Sequence, residues 1–266
     1  MDLSKYNYLK SGRNPWQDPY WYRTEVVLPK SYRGKKVWLI LNGINYRADV
    51  WVNGRQVADK KDIVGMFRRF KLDITGYAHA GANNCIAIKI YQVDHPGVPT
   101  PGTQLKVFGP VRGHSYDIFK DETLKISGGW DCAPVVRDRN MGIYQKVIVE
   151  ATDEVLIENP FVVTTLPKST TMPMKVDTGL AKVNIKLEVR NTSAKLVEGK
   201  VNAWITLINE VKFPTYTKHM EGYLKPIKLT KKVALRAGER KVVELTPEDF
   251  PSLLIENPYL WYPNGY

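Results

Sequence analysis

Trp130 and Asp131, inside Ser127-Gly-Gly-Trp-Asp-Cys-Ala-Pro134, combine two side chains that suit one task. An indole offers a flat apolar face, and a carboxylate accepts hydroxyl protons, which together describe how a protein grips a sugar ring. Cutting a glycosidic bond asks for more, namely two carboxyl groups about 5 Å apart when configuration is retained. No pair of acids in the sequence stands out for that role, so no catalytic residue is assigned. The four histidines, His79, His95, His114 and His219, fall at unrelated spacings without a Cys/His or Asp cluster, and no metal site is expected. Gly-Gly and Asn-Gly occur in loop and hairpin contexts rather than between a strand and a helix, so no phosphate loop and no cofactor is expected. Cys85 and Cys132 are too few for a disulfide framework, and whether they pair is open. Cys85, in a strand-like run, reads as a small buried apolar residue.

These side chains must be held by something. Residues 94–140 are the least regular part of the chain, with Pro96, Pro99, Pro101 and Pro110, and a long loop in a compact domain is usually functional. Strand patterns lie on both sides of it. Tyr20 to Leu28 is followed by Pro29, Val37 to Leu41 is apolar almost throughout as in a strand covered on both faces, and Phe70, Leu72 and Ile74 alternate with polar residues. Asn53-Gly54 between Val50-Trp-Val and Arg-Gln-Val-Ala predicts a tight hairpin, because both turn residues tolerate positive φ. Ile44 to Asp49 reads as an irregular crossing segment fixed by an Arg47–Asp49 pair. Trp38, Tyr46 and Trp51 read as core aromatics.

After Asp153 the composition shifts. Val155 to Val163, Val183 to Arg190, Gly199 to Ile208, Val233 to Leu235 and Lys241 to Leu245 give a second series of short strands. The expected fold class is all-β: a jelly-roll-like sandwich over residues 1–153, then an immunoglobulin-like sandwich over residues 154–266. The chain has a formal charge of +12, yet its basic residues are spread singly among 27 acids, which points to a solvated strand face rather than a nucleic-acid partner. No apolar run approaches the ~20 residues that span a bilayer.

Four motifs in order, Tyr20-Trp-Tyr-Arg23, Gly43-Ile-Asn-Tyr-Arg-Ala-Asp-Val-Trp-Val-Asn-Gly54, Gly65-Met-Phe-Arg68 and Gly81-Ala-Asn-Asn84, resemble the sugar-binding N-terminal domain of glycoside hydrolase family 2. Trp130-Asp131 with the later Gly142-Ile-Tyr144 resembles the mannosidase and exo-β-D-glucosaminidase branch, whose motif usually reads Trp-Asp-Trp where this chain has Cys132. The resemblance implies a galactose-binding-like jelly roll and a parent enzyme that is a retaining glycosidase acting on β-mannosides or β-glucosaminides. It implies Trp130 and Asp131 as substrate-binding residues on a loop reaching toward a downstream (β/α)₈ barrel. That barrel is the expected intramolecular partner, a β-linked glycan the expected substrate, and a periplasmic or secreted parent the expected location. Both catalytic acids would lie in the barrel, so the Asn209-Glu210 dipeptide is not catalytic and the chain alone is inactive. The tail Asn257 to Tyr266 resembles the segment before the last strand of the second sandwich, which implies an incomplete sandwich. A free-standing carbohydrate-binding module is the alternative.

Overall fold

A computed structural model describes residues 18–95, 120–124, 139–168, 177–206, 226–258 and 260. The chain divides into two units, Met1–Thr152 and Asp153–Tyr266. Strands dominate both, and helix is confined to short 3₁₀ turns such as Lys30–Tyr32 and Pro251–Leu253.

The first unit contains nine strands among the described residues: β1 (Tyr20–Val27), β2 (Lys36–Leu41), β3 (Ile44–Asn45), β4 (Arg47–Val52), β5 (Arg55–Ala58), β6 (Phe70–Asp73), β7 (Asn83–Tyr91), β8 (Gly142–Ile143) and β9 (Val147–Thr152). One antiparallel sheet runs β1-β7-β4-β5, a second runs β6-β2-β9, and β3 pairs with β8. Period-two alternation explains the first sheet. Asn84, Ile86, Ile88 and Ile90 of β7 and Ala48, Val50 and Val52 of β4 point inward, where they meet Val37, Leu39 and Leu41 of β2. The β2 strand is central and nearly all apolar because its second face is also covered, with Trp38 buried there and donating Nε1–H to Thr152 Oγ1 at 2.9 Å.

The β4–β5 hairpin turns on Asn53 (φ 51°) and Gly54 (φ 79°), the left-handed pair that the Asn-Gly dipeptide supplies. Its turn is clamped from outside the hairpin. Asn53 Nδ2 donates to Tyr77 O and Asn84 Oδ1, both at 2.8 Å, and Asn53 Oδ1 accepts Cys85 N–H at 2.8 Å. Buried Asn84 completes the network, since its Oδ1 also accepts His79 N–H while its Nδ2 donates to His79 O and Ala82 O.

The expected crossing segment is instead ordered strand. Ile44–Asn45 pairs with Ile143 and Gly142, and after a cis bond between Asn45 and Tyr46 the chain enters β4 against β7. Nor do Arg47 and Asp49 pair. Neighbours i and i+2 share a strand face, but Arg47 reaches Asp94, three residues past the end of β7, with Nε to Oδ1 at 2.7 Å, and Asp49 accepts from Tyr91 O–H at 2.6 Å and Lys60 N–H at 2.8 Å. Cys85 is only half-buried, on the sheet's outer face.

The second unit holds β10 (Val155–Thr165), β11 (Leu180–Asn191), β12 (Val197–Ile205), β13 (Ile227–Leu235), β14 (Arg240–Leu245) and β15 (Leu254–Glu256). β11 is the template: β10 lies along one edge, while β14 and then β15 occupy successive stretches of the other. β12 pairs with β13. The facing side chains Val183, Ile185, Leu187 and Val189 close on Val201, Leu229, Val243 and the fully buried Leu253. β13 begins six residues before the expected Val233, because alternating Lys228, Thr230 and Lys232 form a solvent face that looks polar in sequence. β10 carries a bulge between Glu158 and Phe161, with Asn159 at φ 50° followed by Pro160.

Candidate functional site

Trp130 and Asp131 lie outside the described residues, as do Cys132, His114, Glu210 and His219. The segments that flank residues 125–138 are described, and both pack at Met66. Residues 120–124 approach through Leu124, whose N–H points at Met66 Sδ at 3.4 Å. Residues 139–144 leave through the β3–β8 ladder, where Ile44 stands opposite Ile143 and Asn45 opposite Gly142.

Two buried polar side chains fasten these stems. Asn45, with no exposed surface, donates Nδ2–H to Arg139 O at 2.7 Å and Asn140 O at 3.0 Å. Asp121, 3% exposed, accepts His95 N–H at 2.7 Å, and its other oxygen lies 3.0 Å from His95 Nδ1. A carboxylate taking a backbone N–H and a ring nitrogen is well paired, so its burial is tolerable. Next to it, Arg47 holds Asp94 below the ordinary carboxylate range by hydrogen bonding. Tyr46, 8% exposed, has its hydroxyl pushed up chiefly by burial, then by Asp121 and Asp94.

The backbone here is unusual. Arg139 (φ 53°), Asn140 (φ 56°) and Gly142 (φ 145°) lie within four residues, in conformations that cost a non-glycine residue roughly 1–3 kcal/mol each. A side chain at Gly142 would stand 2.6 Å from the Tyr22 hydroxyl, and one at Gly43 would meet Tyr144 and Gln145 at 2.7 Å. Those close approaches bring Tyr22 and Tyr144 over the ladder, and Tyr144 O–H donates to Met66 O. Beside Met66, Phe67 is 62% exposed, and Tyr144, Leu124 and Tyr22 are each about two-fifths exposed. The stems therefore emerge through an apolar, aromatic rim over a polar, hydrogen-bonded base. Such a rim suits a flat, partly apolar ligand such as a sugar ring.

Of the sequence-predicted aromatics, Trp38 and Tyr46 are buried, whereas Trp51 is half-buried on the outer sheet face, stacked on Trp21. Asp121 is not singled out by sequence, and Asn45, Phe67 and Tyr144 enter there only as members of the Gly43–Gly54, Gly65–Arg68 and Gly142–Tyr144 motifs. The Tyr144–Met66 hydrogen bond shows that the last two motifs belong together. Among the described residues no cluster of His, Cys, Asp and Glu could hold a metal ion, and no helix is long and apolar enough to cross a membrane.

Residues 7–145 match the family described as glycosyl hydrolase 2 galactose-binding domain-like. The chain belongs to glycoside hydrolase family 2. Among curated relatives, it is 29% identical over 250 residues to an exo-beta-D-glucosaminidase of Amycolatopsis orientalis, a match covering 93% of this chain and 18% of that protein. It is 27% identical over 237 residues to a mannosylglycoprotein endo-beta-mannosidase of Lilium longiflorum, covering 89% of this chain and 21% of that protein. The crystal structure of the Amycolatopsis orientalis exo-chitosanase superposes with a TM-score of 0.58 at 25% identity, over 93% of this chain and 22% of that one. The chain thus spans about a fifth of these relatives' length. The all-β architecture agrees with a galactose-binding-like family 2 domain, and no (β/α)₈ barrel occurs among the described residues.

Proposed function

We propose that this chain is a non-catalytic part of a family 2 retaining glycosidase acting on β-glucosaminides or β-mannosides. In this reading it lends the Trp130–Asp131 loop to the sugar site and braces a (β/α)₈ barrel supplied by the rest of the protein. The observation that carries the reading is the pair of loop stems, clamped by Asn45 and Asp121 beneath a rim of Phe67, Tyr144 and Tyr22. A loop that only linked strands would need neither buried polar clamps nor a cluster of left-handed residues at its root. Trp130 would stack on the apolar side of a pyranose, and Asp131 would accept a hydroxyl proton. The relatives named above, each matched over about nine-tenths of this chain, are named for a glucosaminide and a mannoside, which supports those substrates. An exported parent fits a polymeric glycan, which does not enter cells intact.

The test is Asp131→Ala in the full-length enzyme. Losing a charge-assisted hydrogen bond of roughly 1.5–3 kcal/mol should lower kcat/KM about 10- to 150-fold with an unchanged melting temperature. Unchanged kinetics would remove the residue from the site. A 266-residue chain that by itself binds β-linked glucosaminides as tightly as the full enzyme would favour a free-standing binding module.

A further inference from the structure

The outer face of the β1-β7-β4-β5 sheet, apart from the Arg47–Asp94 pair at its end, is not used by the function proposed above. Its outward residues are Trp21, Arg23 and Glu25 on β1, Cys85, Ala87, Lys89 and Tyr91 on β7, and Arg47, Asp49 and Trp51 on β4. β1 and β4 flank β7, so they stand about 9.5 Å apart. Trp21 and Trp51 nevertheless meet, their ring centroids 5.1 Å apart and tilted by 33°. Trp51 stands opposite Ala87 and Trp21 opposite Lys89, so the two indoles are diagonal across β7 and the small Ala87 leaves Trp51 room to lean toward Trp21. Trp21 remains 59% exposed. Together with Trp51 it makes a contiguous aromatic patch on the sheet face, the kind of surface that a ligand or partner covers.

The charges beside the indoles divide unevenly. Each of the three carboxylates already accepts at both oxygens. Glu25 accepts from Arg23 and Asn83, Asp49 from Lys60 N–H and Tyr91 O–H, and Asp94 twice from Arg47. The ammonium groups of Lys60 and Lys89 have no carboxylate partner among the described residues. They sit over rings instead: Lys89 is 5.4 Å from the Trp21 centroid and 5.1 Å from that of Tyr91, and Lys60 is 4.8 Å from Tyr91. A lysine ammonium carries three donors and a ring face satisfies none of them as a carboxylate would. The face therefore offers two apolar planes, the exposed Gln56 amide at the rim, and two cations with donors to spare.

We propose that this face is a second saccharide-binding surface, selective for glycans that carry carboxylates, such as uronic-acid polymers. The pyranose C–H face would lie on Trp21 and Trp51, and a sugar carboxylate would take the free donors of Lys60 and Lys89. A cationic glucosamine polymer is repelled by the same two lysines, so this surface and the loop select differently charged sugars. A single-stranded nucleic acid also pairs ring faces with cations. The two tilted indoles touch and form one continuous apolar platform, wide enough for a pyranose, rather than spaced faces for successive bases.

The 266-residue chain is titrated with oligogalacturonate, with its fully methyl-esterified form, with chitosan oligomers and with oligothymidylate, following tryptophan fluorescence. Saturable quenching by the oligogalacturonate alone is expected, weakening as salt rises. Trp21→Ala and the double variant Lys60→Gln/Lys89→Gln should each weaken binding about tenfold or more while the melting temperature holds. The proposal is overturned by an absence of saturable binding, by equal affinity for the esterified oligomer or oligothymidylate, or by full binding in the folded lysine variant. Asp131→Ala should leave this binding intact, so failure of the loop reading and failure of this one are separable.

Discussion

Two ends of the same sandwich each bury an asparagine, and the two are treated differently. At the hairpin end, Asn84 spends its whole amide: Oδ1 accepts twice and Nδ2 donates twice. At the loop end, Asn45 donates twice, but its Oδ1 is buried without a hydrogen-bond partner. The second unit repeats the first pattern, since Asn191 Nδ2 donates to Lys195 O, Leu235 O and Arg236 O while Oδ1 accepts from Ser193. A saturated amide is a scaffold device that closes a turn at the lowest free energy. An unsaturated one beside left-handed residues marks where shape has been kept at the expense of stability.

That contrast can be broken by mutation. Asn84→Ala should have the largest effect, about 2–4 kcal/mol in urea unfolding, because it strands buried donors and acceptors of His79, Ala82 and Asn53 at once. Asn45→Ala should cost less, about 1–2 kcal/mol, since one of its polar atoms is already unspent, yet it should reduce kcat/KM in the full-length enzyme where Asn84→Ala, once folded, does not. Equal costs for the two would erase the distinction. Gly54→Ala is expected to cost about 1 kcal/mol from backbone strain alone, because nothing lies within 4 Å of the added methyl.

The smallest effect concerns Asp94. Its carboxyl is held below the ordinary range by Arg47, so the pairing stabilises the fold above the unfolded-state value near about pH 4 and is lost as pH falls through the lower folded value. Asp94→Asn should therefore lower stability at neutral pH by less than about 1 kcal/mol, the pair being partly exposed, and the gap to wild type should close in acid. A gap that widened on acidification would show that the pair is not what holds this corner.

Local chemistry was the legible part. Asn53-Gly54 specifies its turn by dihedral preference, and the alternation in β7 and β11 specifies which faces are buried, so the all-β class and most strands follow from neighbours within a few residues. Arg47 could not be read this way, because Asp94 lies 47 residues away and wins over Asp49 only once β4 is laid beside β7. Trp51 reads as core because an indole in a strand usually is; it stands on the outer face because Ala48, Val50 and Val52 take the inward positions of β4. For the site, motifs flagged the right segments, but the clamps Asn45 and Asp121 are single polar residues whose importance comes only from burial.

The bulge in β10 has a consequence for handling the protein. β10 is the outermost strand of its sheet among the described residues and exposes Ile157, Phe161 and Val162, each close to three-fifths open. A flat strand with that composition would template other chains along its free edge. Asn159 and Pro160 prevent this, the first by bending the strand and the second by withholding an N–H from any incoming neighbour. Deleting Asn159 to restore an even register, together with Pro160→Thr to return the N–H, would thus leave a folded protein that clouds on concentration, with self-association growing faster than any loss of melting temperature.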